Sequence, residues 1–301
     1  TEIRFGIATS GSCELTQNSF NDLHIHFFRR AEQLIDWNRR RMTESISEAQ
    51  FGNAFSPHLL VSVRSATEAA DALAGGCQIL DVKEPSRGSL GMADFSTIEQ
   101  VLEIGIGAGV PVSAALGEVA DYSTSHDAEF PIQKLPSSLS TLSFTKLGLA
   151  SLNCESNWLG RWGDTMSSLA ESIRPKNEDS CRQWVAVIYA DWQRAASPSP
   201  DAIIDSVLST TFSSDIQIAG VLVDTWSKES GRLLDSLSIE QLCELAAAVQ
   251  QTGRFFAVAG RLTSTVLLDL TSVRPDIVAV RSAACRNEKR TSAVDKVAVR
   301  D

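Results

Sequence analysis

Histidines, lysines and paired cysteines are scarce in this chain, and their scarcity excludes several functions. The four histidines are His24, His26, His58 and His126, and none falls in a metal spacing such as H-E-x-x-H. The six cysteines (Cys13, Cys77, Cys154, Cys181, Cys243, Cys285) lie far apart, without a C-x-x-C pair. Neither a zinc site nor a disulfide framework is expected, and the thiols read as reduced. No apolar run approaches the roughly 18 residues of a membrane span. The segment TEIRFGIATS has no basic stretch before a long apolar core, so it does not read as a secretory signal. A cytoplasmic location is expected. The net charge of −10 argues against nucleic acid and against an anionic membrane surface as partners. Any anionic ligand must then be held by a local basic site.

What is present is an ordinary globular composition, with 43% apolar and 21% charged residues over 301 positions. Eight apolar, β-rich runs recur: LLVSV (59–63), CQILDV (77–82), VPVSAAL (110–116), TLSFTKL (141–147), WVAVIYA (184–190), IAGVLVD (218–224), FFAVAG (255–260) and DIVAVR (276–281). Most are continuous rather than alternating, as in strands covered on both faces of a parallel sheet. Helical periodicity falls between them at 66–76, 94–109, 162–174, 199–212 and 238–253. Eight such units from residue 59 fill about 240 residues, which is the arithmetic of an α/β, TIM-like (β/α)8 barrel. A doubly wound open sheet is the alternative. The absence of G-x-G-x-x-G after the first strand counts against it.

Two segments stand outside this scheme. Residues 1–57 form an N-terminal extension to a barrel domain at 58–301. Within the extension, residues 26–46 read as an amphipathic helix with a basic face at Arg39, Arg40 and Arg41. Such a helix suits the barrel bottom, a neighbouring subunit in a homo-oligomer, or a binding arm. The polar stretch 120–140 reads as a long loop with a short helix, placed to wall an active site.

The lysines carry the chemistry. Seven lysines stand against twenty arginines, and Lys83, Lys146 and Lys228 each end or closely follow an apolar run. In a barrel, the strand ends gather at one mouth. Asp81 and Lys83 share a strand face by alternation. Lys146 ends strand 4, strand 5 reaches Tyr189 and Asp191, and Asp224 ends strand 6. A neutral lysine amine attacks a carbonyl to form a Schiff base, and a second lysine moves protons. A structural ion-pair network is the competing reading. Gly260 and Arg261 after strand 7, with Arg281, Ser282 and Ala283 after strand 8, resemble a phosphate cradle. A phosphorylated aldehyde or ketone is the substrate this combination suggests.

Asp81 through Gly91 (DVKEPSRGSLG) resembles the signature of the (5-formylfuran-3-yl)methyl phosphate synthases of methanofuran biosynthesis. So do VSAALGEV (112–119), TKLGL (145–149), YADW (189–192), VDTWSKESGRLLD (223–235), AVAG (257–260) and VAVRSAACR (278–286), in family order from residue 58 to about 300. The resemblance implies a TIM-like barrel that condenses two glyceraldehyde 3-phosphate molecules to a furan aldehyde phosphate. It implies Lys83 as the Schiff-base lysine and Lys146 as the general acid/base, supported by Asp81, Asp224 and Lys228. The imine serves as electron sink, so neither a metal nor an organic cofactor is implied. A class I aldolase on another sugar phosphate, or a non-catalytic barrel acting as a binding partner, are the other readings.

Overall fold

A computed structural model describes residues 56–122, 135–174, 182–210, 212–227 and 231–301. The expected helix at 26–46, the middle of the 120–140 loop and Lys228 lie outside the described residues. The eight apolar runs become eight strands: β1 (His58–Val63), β2 (Ile79–Val82), β3 (Val112–Glu118), β4 (Phe144–Gly148), β5 (Arg182–Tyr189), β6 (Ile216–Asp224), β7 (Phe255–Val258) and β8 (Ile277–Val280). Neighbours in sequence pair in parallel, and β8 closes on β1, with His58 opposite Ile277. Closure removes both sheet edges, and the open-sheet alternative is excluded.

The connecting helices are α1 (Ala66–Gly75), α2 (Phe95–Ala108), α3 (Trp158–Ser172), α4 (Trp192–Ala195), α5 (Pro200–Ser209), α6 (Leu233–Ser236), α7 (Ile239–Gln250), α8 (Ser264–Asp269) and α9 (Lys296–Arg300). Their ends follow local chemistry. Ser65 caps α1 by accepting from the Glu68 amide, and Gly76 closes it in the left-handed region at φ 101°. Ser199 caps α5, with Pro200 in its first turn, and Ser238 with Gln241 forms a capping box on α7. The pieces α8 and α9 were not legible as helices, being only six and five residues long. Tertiary packing fixes α9: Val299 lies so close to Gly75 that a β-carbon there would collide with it.

Side chains divide by strand alternation. Val61, Leu80, Val82, Val221, Val223 and Phe256 point outward into the layer beneath the helices. Leu60, Ile79, Phe144, Val185, Leu222, Phe255 and Ile277 fill the barrel interior. Phe144 and Phe255 meet edge to face at 5.3 Å, and Gly220 leaves room for the Phe255 ring. Two residues after Ile79, Phe144 and Leu222 come Asp81, Lys146 and Asp224. A polar layer therefore sits directly above an apolar plug, at the C-terminal mouth.

Candidate active site

Asp81 is the hub of that polar layer. It is 2% exposed. Its Oδ1 accepts from Ser113 Oγ at 2.6 Å and from Lys146 Nζ, and its Oδ2 accepts from Ser62 Oγ at 3.0 Å. Burial opposes its charge, but Lys146, Lys83 and the hydrogen bonds outweigh that opposition and hold the carboxyl below its ordinary range. Lys83, one alternation further along, and Lys146 are both buried, and both line the same cleft as Asp81. Asp224 lines the opposite wall. Its Oδ1 accepts from the Thr225 amide at 2.7 Å, and its Oδ2 from Ser89 Oγ at 3.2 Å.

The loop after β2 is stitched across the mouth, which explains its residue types. Glu84 accepts from the Ser86 amide and opens a 3-10 turn at Pro85–Arg87. Gly88 has φ 119°, a region suited to glycine. Ser89 bonds both Asp224 and the Thr225 carbonyl, and the Leu90 carbonyl accepts from the Gly117 amide. A β-carbon on Gly91 would strike the Glu84 carbonyl. Each small residue of DVKEPSRGSLG thus answers a contact or a dihedral.

The other expected residues divide into those that line the cleft and those that do not. Gly260, Arg261 and Ser282 line it together with the lysines. Gly260 (φ 102°) and Arg261 (φ 54°) lie consecutively in the left-handed region. Ala283 packs against the apolar core instead. Asp191 sits one layer out: its two oxygens accept from the amides of Trp226 at 2.7 Å and Ser227 at 2.9 Å. It orders the chain leading to Lys228 rather than facing the cleft.

Arg281 requires a correction. It borders the cleft, but all five of its N–H donors are spent on protein. Nε donates to the Arg290 carbonyl, Nη1 to the Ser62 carbonyl and Glu68, and Nη2 to Glu68 and the Ser292 carbonyl. Glu68, in the first turn of α1, is the buried carboxylate that claims it. Arg281 therefore builds the framework of the β8 loop and has no donor left for a phosphate.

Several residues in and around the cleft carried little sequence signal. Ser62 and Ser113 are polar positions within apolar strands, and their lumen-facing parity was the available hint. Arg290 lines the cleft from a polar loop with no periodicity. Glu118 and Tyr189 form a further buried pair, with the Tyr189 hydroxyl 2.5 Å from Glu118 Oε1. Burial raises the Glu118 carboxyl against the opposing bonds from Tyr189 and the Ala150 amide, and it also raises the Tyr189 phenol.

Comparison with known proteins fits this arrangement. The family profile of the 4-HFC-P synthases matches residues 59–301. A (5-formylfuran-3-yl)methyl phosphate synthase of Archaeoglobus fulgidus is 28% identical over 239 residues, covering 77% of this chain and 92% of that protein. The enzyme of the same name from Methanopyrus kandleri is 30% identical over 253 residues, covering 81% and 96%. Among solved structures, phosphoribosyl anthranilate isomerase from Thermus thermophilus overlays with a TM-score of 0.47 and 12% identity, covering 81% of this chain and 94% of that one. The matched span takes in the whole barrel, the signature loop over its mouth and the buried Asp81–Lys146 pair, and the chain belongs to the 4-HFC-P synthase family.

Proposed function

We propose that the chain makes (5-formylfuran-3-yl)methyl phosphate from two molecules of glyceraldehyde 3-phosphate, through a Schiff base on Lys83, in the biosynthesis of methanofuran or an analogue. The observation that carries this reading is the pairing of buried Asp81 with Lys146 in the cleft that Lys83 also lines. Two amines in one cleft, one of them held by a carboxylate, divide the labour between nucleophile and proton carrier.

The Lys83 amine adds to the aldehyde of one triose phosphate, and loss of water gives the imine. The imine draws electrons from the adjacent carbon, so the proton there becomes removable. Lys146, oriented by Asp81, donates the proton that expels water from the carbinolamine. The amine left by that donation then takes the α-proton. β-Elimination expels phosphate from the second triose and leaves a 2-hydroxyenal, and the enamine adds to its terminal carbon, so that its aldehyde survives as the formyl group. The hydroxyl beside that aldehyde closes the ring on the imine carbon, and loss of the Lys83 amine and of the second water gives the furan. Two trioses become one furan aldehyde phosphate, one inorganic phosphate and two waters, with no net oxidation. Asp224, which accepts from Ser89 and the Thr225 amide, exchanges protons during the eliminations in this scheme. Lys228 follows it in the same motif, and Asp191 orders the segment that leads there.

The test is borohydride trapping with glyceraldehyde 3-phosphate, followed by peptide mapping, beside a parallel incubation scanned for an ultraviolet-absorbing furan aldehyde. A triose adduct on Lys83 with furan formed is expected. An adduct without furan points to an aldolase on another sugar phosphate, and the absence of both adduct and furan with folded protein refutes the enzyme reading.

A further inference from the structure

With Arg281 committed to protein, the phosphate of the substrate needs another cation, and Arg290 has the donors for it. Residues 285–294 form a loop closed by an antiparallel bridge between Cys285 and Val294, with the Arg286 amide on the Ala293 carbonyl at 3.1 Å. Inside it, Asn287 (φ 56°) and Glu288 (φ 54°) both hold left-handed backbone, a strained choice for two consecutive residues other than glycine. Arg281 grips the Arg290 carbonyl at 2.9 Å. The strained loop and the Glu68–Arg281 pair together deliver the Arg290 side chain into the cleft.

There its guanidinium is half used. Nη2 donates to the Pro85 carbonyl at 3.0 Å and to the Gly88 carbonyl at 3.4 Å. Nε and Nη1 have no protein partner among the described residues, which leaves three donors in a rigid fork. The charges that face it are Asp224, Glu84, Arg261 and Arg281. Both carbonyls it holds belong to the loop that follows Lys83.

We propose that Arg290 is the arginine that grips the phosphate monoester of the triose bound at Lys83, and that its hold on the Pro85 and Gly88 carbonyls couples phosphate binding to the order of the 84–91 loop. This rests on the phosphorylated-aldehyde reading above. A phosphate on Nε and Nη1 takes a bidentate grip while Nη2 keeps the loop in place. The same cation thus senses the ligand and the loop. An unphosphorylated aldehyde gains nothing from it.

The test uses the full chain and three measurements. Inorganic phosphate is titrated into the wild type, Arg290→Gln and Arg290→Lys by calorimetry. Half-saturation of borohydride trapping on Lys83 is compared for glyceraldehyde 3-phosphate and glyceraldehyde. Hydrogen exchange of residues 84–91 is followed with and without phosphate. Arg290→Gln is expected to weaken phosphate and glyceraldehyde 3-phosphate by about 10- to 100-fold and to leave glyceraldehyde unchanged. Arg290→Lys is expected to recover part of the affinity but not the phosphate-induced protection of the loop. Undiminished phosphate binding by a folded Gln variant overturns the proposal. So does an equal loss for both aldehydes, which marks a purely structural role, or a wild type that binds no phosphate. If the Gln variant does not fold, the Lys variant decides by its loop protection. If neither aldehyde is trapped on Lys83, the Schiff-base reading fails, and the phosphate titration still decides Arg290.

Discussion

Replacing Asp81 with asparagine isolates one buried charge. The two side chains have nearly the same shape, so packing is kept. The Ser62 and Ser113 hydroxyls can turn to suit an amide, which limits the loss on that side. Lys146 cannot adapt. It is 3% exposed and is left with an unmatched ammonium. Removing one partner of a buried pair costs about 3–5 kcal/mol. Against a total stability of about 5–15 kcal/mol, that is a large fraction. At about 2–4 °C per kcal/mol for a chain of this class, the unfolding midpoint should fall by about 6–20 °C. Adding Lys146→Met removes the orphan, so the double variant should be no less stable than Asp81→Asn alone. Urea unfolding of the four proteins at neutral pH gives the coupling, expected to be about 2 kcal/mol or more. The Asp81 carboxyl is held below its unfolded value, so its contribution is present above that value and fades as pH falls through the lower, folded one. The gap between wild type and Asp81→Asn should therefore close in acid, below about pH 4. Additivity within about 0.5 kcal/mol, or a gap that persists in acid, would refute this account of the pair.

Lys83→Arg keeps a cation but removes the amine. Loss of the trapped adduct and a fall in furan formation of at least about 10³-fold are expected, by mass spectrometry and absorbance. Glu68→Gln touches no substrate, yet it unbinds Arg281, which positions Arg290. It should cost about 3 kcal/mol in urea unfolding and weaken phosphate binding in calorimetry, and unchanged phosphate affinity would contradict the relay. Gly148→Ala places a methyl group against the Glu118 carboxylate and the Tyr189 hydroxyl. A loss of about 1–3 kcal/mol is expected, partly relieved by adding Tyr189→Phe, and an additive double variant would count against the clash.

The barrel and half of its site were legible because both follow strand periodicity. Continuous apolar runs marked strands buried on two faces, and all eight appear within a few residues of the expected limits. Asp81 and Lys83 share a face because alternation leaves no other choice, and Lys146 and Asp224 join them because strand ends converge. Two helix limits fall away from those that periodicity marks. Thus α3 begins at Trp158, whose ring stacks on Trp162, and α5 ends at Ser209.

By itself, the sequence determined the order of strands, the parity of each lumen-facing residue and the signature that fits the β2 loop to its contacts. These are local properties, fixed by side-chain period and backbone dihedral preference. Only the tertiary structure decided where the arginines spend their donors. Arg281 and Ser282 both follow β8 closely, but Glu68, 213 residues away from Arg281, takes the first for the framework. Arg290, in a stretch with no pattern, is left lining the cleft. A guanidinium reaches several ångströms in any direction, and its partner is chosen by whichever carboxylate or carbonyl the closed barrel brings within that reach.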